Sequence, residues 1–302
     1  MIPYSGEIAG LATGLLWAIG SFLWATMGKE LTAVGINLYK VVAGLIILTV
    51  GMLIAGQPAW PGDLEGRQIA YLLASGVVGL GIGDIFYFYA LLRIGARRAL
   101  LLWLTAPPLA AILGWIFLGE SIATLGWIGI ALTLVGIGVV QSEKDEKEGD
   151  EEPLSRKILL IGTGAGILAG LGQAIASVFN KIVLIENVSA IQVTQLRLVG
   201  AVIFLTLWAV AFGRLKSSMS PFFKKRIFTV ATIAVIAGTV LGLLGMSYSQ
   251  GMIEIGLSNT LTSTSTLWAL PIGLIFFKDK ITLRTILGTA VAFGGVALVF
   301  FR

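Results

Sequence analysis

The 302-residue chain has no cysteine and no histidine. Disulfides, thiolate nucleophiles, Ser-His-Asp triads and Cys/His metal sites are therefore excluded. A carboxylate-only metal site stays open, but in the first half only Asp84 and Glu120 lie within or beside apolar runs. No metal and no cofactor are expected. Charge is scarce as well: Lys, Arg, Asp and Glu make up 12% of the residues, against about a quarter in a soluble domain. Apolar types reach 57%, and mean hydropathy is +0.94. So few charges cannot cover the surface of a water-soluble protein of this size, and so apolar a chain is not disordered. The isoelectric point near 9.5 is read as loop charge, because the basic residues cluster between apolar runs; no nucleic-acid partner is expected. The opening MIPYSGEIAG lacks a basic n-region, so no cleavable signal is expected.

What is present is a series of long apolar runs. Ten are predicted, at about 8–27, 33–55, 68–92, 97–118, 122–141, 158–180, 188–212, 227–250, 257–277 and 283–301. Each is long enough, or nearly so, to cross about 30 Å of hydrocarbon as a helix. The expected fold is an all-α membrane protein of ten transmembrane helices. The stretch SEKDEKEGDEEPLSRK, Ser142 to Lys157, is the one soluble-looking segment and reads as a solvated linker. It divides the chain into 1–142, a charged linker 143–157, and 158–302.

The two halves resemble each other. Gly14, Ala18, Ile19 and Ser21 fall on Gly170, Ala174, Ile175 and Ser177; Lys40 falls on Arg197; Tyr87 and Gly95 fall on Tyr248 and Gly256. Two five-helix repeats explain this. Five is odd, so the second repeat enters the membrane from the opposite face, and the repeats are inverted, as in many secondary transporters. Loop charge gives an orientation. One face collects 16 basic residues and the other, with both termini, collects Arg67, Lys181 and Arg302. The positive-inside rule places both termini outside an inner (plasma) membrane.

Local motifs carry a family resemblance. The fourth predicted helix reads LTAPPLAAILGWIFLGESI, Leu104 to Ile122, with a proline pair and a terminal Gly119-Glu120. Its second-half partner reads TSTLWALPIGLIFFKDKI, Thr264 to Ile281, with Asp279 in the place of Glu120. The third and eighth end in YFYALLRIGARRALL and YSQGMIEIGLSNTLT. In this order, repeated twice, the motifs resemble the drug/metabolite transporter superfamily, specifically its EamA type. The resemblance implies export or exchange of small metabolites by alternating access, with no covalent chemistry and hence no enzyme. It also implies cytoplasmic termini, against the loop charge.

Ionisable groups inside apolar runs need a reason, since each costs at least ~2.5 kcal/mol on insertion scales. Lys40 and Arg197 hold equivalent places. They are either cations that meet an anionic substrate group or long side chains that snorkel to the headgroups. Asp84, in GLGIGDIFYFYALL, is either a proton-coupling or substrate-amine site or a partner for a neighbouring helix, such as Lys40. Glu120 and Asp279 read as interface residues. Polar and aromatic candidates for substrate contact in the first half are Trp17, Ser21, Tyr39, Tyr87, Trp103 and Thr105. In the second half they are Gln173, Ser177, Gln195, Tyr248, Gln250, Ser263 and Thr266. Ordinary interhelical bonding and interfacial aromatic belts are the alternative for these. Pro107-Pro108 and Pro271 are predicted to kink their helices near mid-membrane.

The expected function is a secondary transporter of a small polar metabolite, an amino acid or related amphipathic compound. The bilayer and a coupling proton are its expected partners, in a monomer or weak homodimer. A sugar or organic-anion transporter, an uncoupled facilitator and a lipid-linked headgroup translocase are the alternatives.

Overall fold

A computed structural model describes residues 3–27, 31–94, 99, 102–141, 155–268 and 282–300. These are almost entirely helical, with no strand among them. In the first half, α1 (Ser5–Thr26) and α2 (Ala33–Ile54) are followed by α3 (Gly66–Ser75). That helix runs through a π-helical stretch, Gly76–Gly83, directly into α4 (Asp84–Ile94). Next come α5 (Ala106–Leu118) and α6 (Thr124–Gln141). In the second half, α7 (Arg156–Leu184) and α8 (Ala190–Ala211) lead through the short α9 (Leu215–Met219) to α10 (Lys225–Ala234). A second π stretch, Val235–Leu241, joins α10 to α11 (Gly242–Met252); α12 (Ile255–Ser263) and α13 (Leu283–Phe300) complete the described chain.

Among the described residues, six helical rods are long and apolar enough to cross a membrane, and α5, α6 and α13 contain shorter apolar stretches. Their outer faces are apolar too: Trp115, Phe117 and Leu207 are each about two-thirds exposed. Water would oppose that exposure, whereas acyl chains would not. Helix starts follow local capping chemistry. Thr32 accepts from the Gly35 N–H, and Ser155 from the Ile158 N–H. Glu65/Gln68 and Ser189/Gln192 form reciprocal capping boxes. Gly119, at φ +65°, closes α5 in the left-handed region that glycine adopts without strain.

Two expectations need correction. Pro107 and Pro108 do not kink a helix interior; they lie in the first turn of α5, just after Thr105. First-turn N–H groups have no helical partner, so proline removes nothing there. Arg156 and Lys157, expected in the linker, begin α7, because Ser155 supplies the cap. Glu120 lies just past the end of α5, as a boundary residue would. It is mostly buried and bonded, as described below. Residues 142–154, Pro271 and Asp279 lie outside the described residues.

Small residues let the rods approach closely. Along α1, Gly6 faces Met252, Gly10 faces Ser249, and Gly20 faces Gly238 in the second π stretch, so α1 runs antiparallel to the rod that ends in α11. In the same manner Gly162 of α7 faces Ile94, while Gly172 faces Gly83, and α7 runs antiparallel to α4. Helices at matching places in the two halves also meet. Gly136 of α6 abuts Ala292, and Gly295 of α13 abuts Thr133. Gly44 of α2 faces Leu198, and Gln195 of α8 bonds Thr49. Both pairs are antiparallel.

Candidate functional site

Two rods cross near the middle of the bundle, where α3 passes α8. Gly76 and Gly200 make this possible, since a Cβ on either would overlap the backbone of the other rod at Arg197 or Leu73. Each π stretch leaves irregular carbonyls, and such stretches are frequent at functional sites. Asn37 of α2 satisfies one by donating from Nδ2 to the Leu80 carbonyl at 2.9 Å. One turn further along α2, Lys40 pairs with Asp84, the residue directly after the first π stretch. Both side chains are more than four-fifths buried. The Lys40 ammonium also lies 5.6 Å from the centre of the Phe88 ring, a cation–π distance. Lys40 therefore does not snorkel. The partnership with Lys40 that the sequence offered for Asp84 is present.

Arg197 is entirely buried, and none of its three side-chain nitrogens has a hydrogen-bond partner among the described residues. It does not snorkel either. A Cβ on Gly79 would lie 3.6 Å from Arg197 Nη2 and 3.9 Å from Gln173 Oε1, so both side chains reach the first π stretch. Asp84 acts electrostatically on the guanidinium. An unpaired ion in a protein interior costs on the order of several kcal/mol. The fold alone gives no reason to carry that cost.

Around this centre the expected site residues separate into groups. Tyr87 packs edge-to-face on Trp103, with ring centres 5.1 Å apart, close to Asp84 on α4. Thr105 donates to the Leu102 carbonyl at 2.7 Å and faces Gly170. Trp17 lays its indole against Gly242, directly after the second π stretch. Gln173 donates to the Met246 sulfur at 3.5 Å. Ser177 and Gln250 belong to a fully buried polar chain linking α3, α7, α11 and α12. Ser75 donates to Asn180 Oδ1 at 2.7 Å, Asn180 to Gln250 Oε1 at 3.0 Å, and Gln250 to Ser177 Oγ at 2.8 Å. Asn259 also donates to Ser177 Oγ, at 3.1 Å.

Other candidates face elsewhere. Tyr39 stacks on Phe222 at 4.1 Å and shares a hydrogen bond with Thr232. Gln195 donates to the Ala59 carbonyl at 2.7 Å, in the connection after α2. Two residues along a helix is a turn of about 200°, so Gln195 points away from Arg197. Ser263 and Thr266 bond local carbonyls three or four residues back, those of Asn259 and Ser263. Ser21 is exposed, and Tyr248 is 39% exposed with its hydroxyl on Ser5.

The sequence reading missed Asn37 and the role of Glu120. Asn37 lies three residues before Lys40, which places both on one face of α2. On one face of the bundle, Lys181 donates to the carbonyls of Gln250 and Ile253 at 2.7 and 2.9 Å and lies 3.6 Å from Glu120. Glu120 accepts from the Ile255 N–H at 2.9 Å. Burial pushes the Glu120 carboxyl above the usual carboxylate range, against the pull of that N–H and of Lys181. The same face carries Arg67–Glu186 (2.6 Å) and a Gln192–Asp63 bond (2.9 Å). There a cavity of about 560 Å³ is lined by Met52, Trp60, Asp63 and Gln192, among others.

The sequence model of the EamA-like transporter family matches residues 4–141 and again 160–301. Among solved structures, one crystal structure of a protein aligns with a TM-score of 0.77 over 98% of this chain and 96% of its own, at 15% identity. At that identity it shows a shared fold alone. None of the curated proteins matches the chain.

Proposed function

The chain belongs to the EamA-like transporter family, and from that premise we propose a secondary transporter. It moves a small polar metabolite, an amino acid or related amphipathic compound, across the membrane by alternating access. One observation carries this reading. Lys40, Asp84 and Arg197 lie inside an apolar bundle, away from the ends of the membrane-crossing rods, and Arg197 has no partner among the described residues. Such groups are costly at bilayer depth and mark transport pathways.

The architecture in this proposal is ten spans in two inverted five-helix repeats, the first 1–142 and the second beginning with α7 at Arg156, joined by a charged linker. The antiparallel packing of α2 on α8 and of α6 on α13 supports it, since each pair joins matching helices. The substrate binds where the two π stretches flank the charged centre, with Tyr87, Trp103, Gln173 and Trp17 around it. Smooth glycine faces allow the halves to rock. Asp84 is the proposed proton-coupling group. The face bearing Arg67 and Lys181, together with both termini, lies outside the inner membrane, as loop charge directs.

Counterflow in proteoliposomes tests the reading. Uptake of a labelled amino-acid mixture should be saturable and should accelerate when unlabelled substrate is loaded inside. Uptake without that acceleration identifies a channel-like facilitator and defeats alternating access.

A further inference from the structure

We propose that the Arg197 guanidinium receives a carboxylate of the transported compound, and that the compound enters the site with a net charge of −1. The inference rests on the transporter reading above.

It begins with a break in symmetry. Lys40 and Arg197 hold matching places in α2 and α8, and each half carries one π stretch in its third rod. In the first half the residue after the π stretch is Asp84, and it pairs with Lys40. In the second half the corresponding residues are Gly242, Leu243, Leu244 and Gly245, which bear no carboxylate. The second cation is thus present and its protein counter-charge is not.

Geometry and charge then agree. The guanidinium is fully buried with Nε, Nη1 and Nη2 all unbonded among the described residues. This fork matches a carboxylate, which accepts two parallel N–H bonds. Gln173 Oε1 and Asp84 both lie beside the first π stretch, which the guanidinium reaches. Asp84 already holds Lys40, and Gln173 Oε1 approaches Gly79 without closing on the guanidinium. Counting Lys40, Asp84 and Arg197, the centre carries one net positive charge, so one net negative charge on the ligand leaves it neutral when closed to water. Acidic amino acids and simple monocarboxylates meet both conditions. Neutral sugars and amines do not.

The test uses the purified full chain and two isosteric pairs, glutamate with glutamine and phenylacetate with phenylacetamide. At saturating concentration at least one acid should raise the unfolding midpoint by several degrees, and its amide should raise it less or not at all. Arg197→Met should lose this response while its ligand-free midpoint rises, because an unpaired buried charge has been removed. Arg197→Lys retains a cation without the fork and should show a weakened response, which guards against a misfolded methionine variant. Equal responses to acid and amide, no response to either acid, or a full acid response in Arg197→Met overturns the assignment. Counterflow of glutamine and phenylalanine by the same preparation separates the two proposals. Counterflow without acid preference overturns the role of Arg197 and leaves transport standing. Absence of counterflow for these and for both acids counts against transport of this class.

Discussion

Gly76 lies so close to Arg197 that a Cβ on the glycine would overlap the arginine carbonyl oxygen. The obstacle is backbone, which cannot rotate aside as a side chain can. Gly76→Ala should therefore part α3 from α8 and displace the guanidinium. We expect loss of folded yield, or a folded protein without uptake, read by size-exclusion profile and counterflow. Gly51→Ala is the control, since nothing lies within 4 Å of a Cβ there. It should leave the protein unchanged or raise stability by up to about 1 kcal/mol through helix propensity.

Lys40 and Asp84 should show strong coupling. Removing one partner of a buried pair leaves the other uncompensated, at a cost of about 3 kcal/mol or more. Asp84→Asn and Lys40→Met should each lower the unfolding midpoint, and the double variant should recover much of the loss. Additive losses would show that the pair does not interact. If Asp84 also carries the coupling proton, Asp84→Asn abolishes uptake driven by a pH gradient and spares exchange.

Two carboxylates on one face should respond to acid with opposite signs. The Glu120 carboxyl is raised by burial. The folded protein holds this proton more tightly than the unfolded chain, so stability should fall as pH rises from the ordinary carboxylate range through the raised value. Glu186 is held below the ordinary range, first by the Gln68 amide and then by Arg67. Its contribution is present above the ordinary value and is lost as pH falls through the lowered one. Because Glu186 and Arg67 are solvent-screened, added salt should shrink that contribution. Unfolding midpoints from about pH 2 to 7 check this, a range that runs from below the ordinary carboxylate values to neutrality. Glu120→Gln should flatten the decline above the ordinary range, and a profile identical to wild type would remove Glu120 from the account.

Orientation has a direct readout. A reporter active only in the cytoplasm should be silent when fused after Arg302 and active when inserted in the charged linker. The reverse pattern would favour cytoplasmic termini, as the family resemblance implies.

Much of this architecture was legible because long apolar runs are unambiguous, and the Lys40–Asp84 partnership was one of two readings that a carboxylate in hydrocarbon allowed. Facing direction was not legible. On a helix apolar all round, periodicity does not say which side meets the centre, so Tyr39 and Gln195 read as equals of Lys40 and Arg197. The π stretches were hidden because GVVGLGIG has the composition of any packed helix. The proline pair misled because a helix break at Leu104 and Thr105 leaves no mark in an apolar run. The Glu120–Lys181 contact joins residues far apart in sequence, and nothing local announces it.

The seam between α6 and α13 has one more implication. Gly136 presses on one helix where Gly295 presses on the other, so the joint is self-complementary in the manner of a two-fold dimer interface. Each half brings both edges of its own lock. A chain cut between α6 and α7 should then yield two fragments that reassemble through this seam.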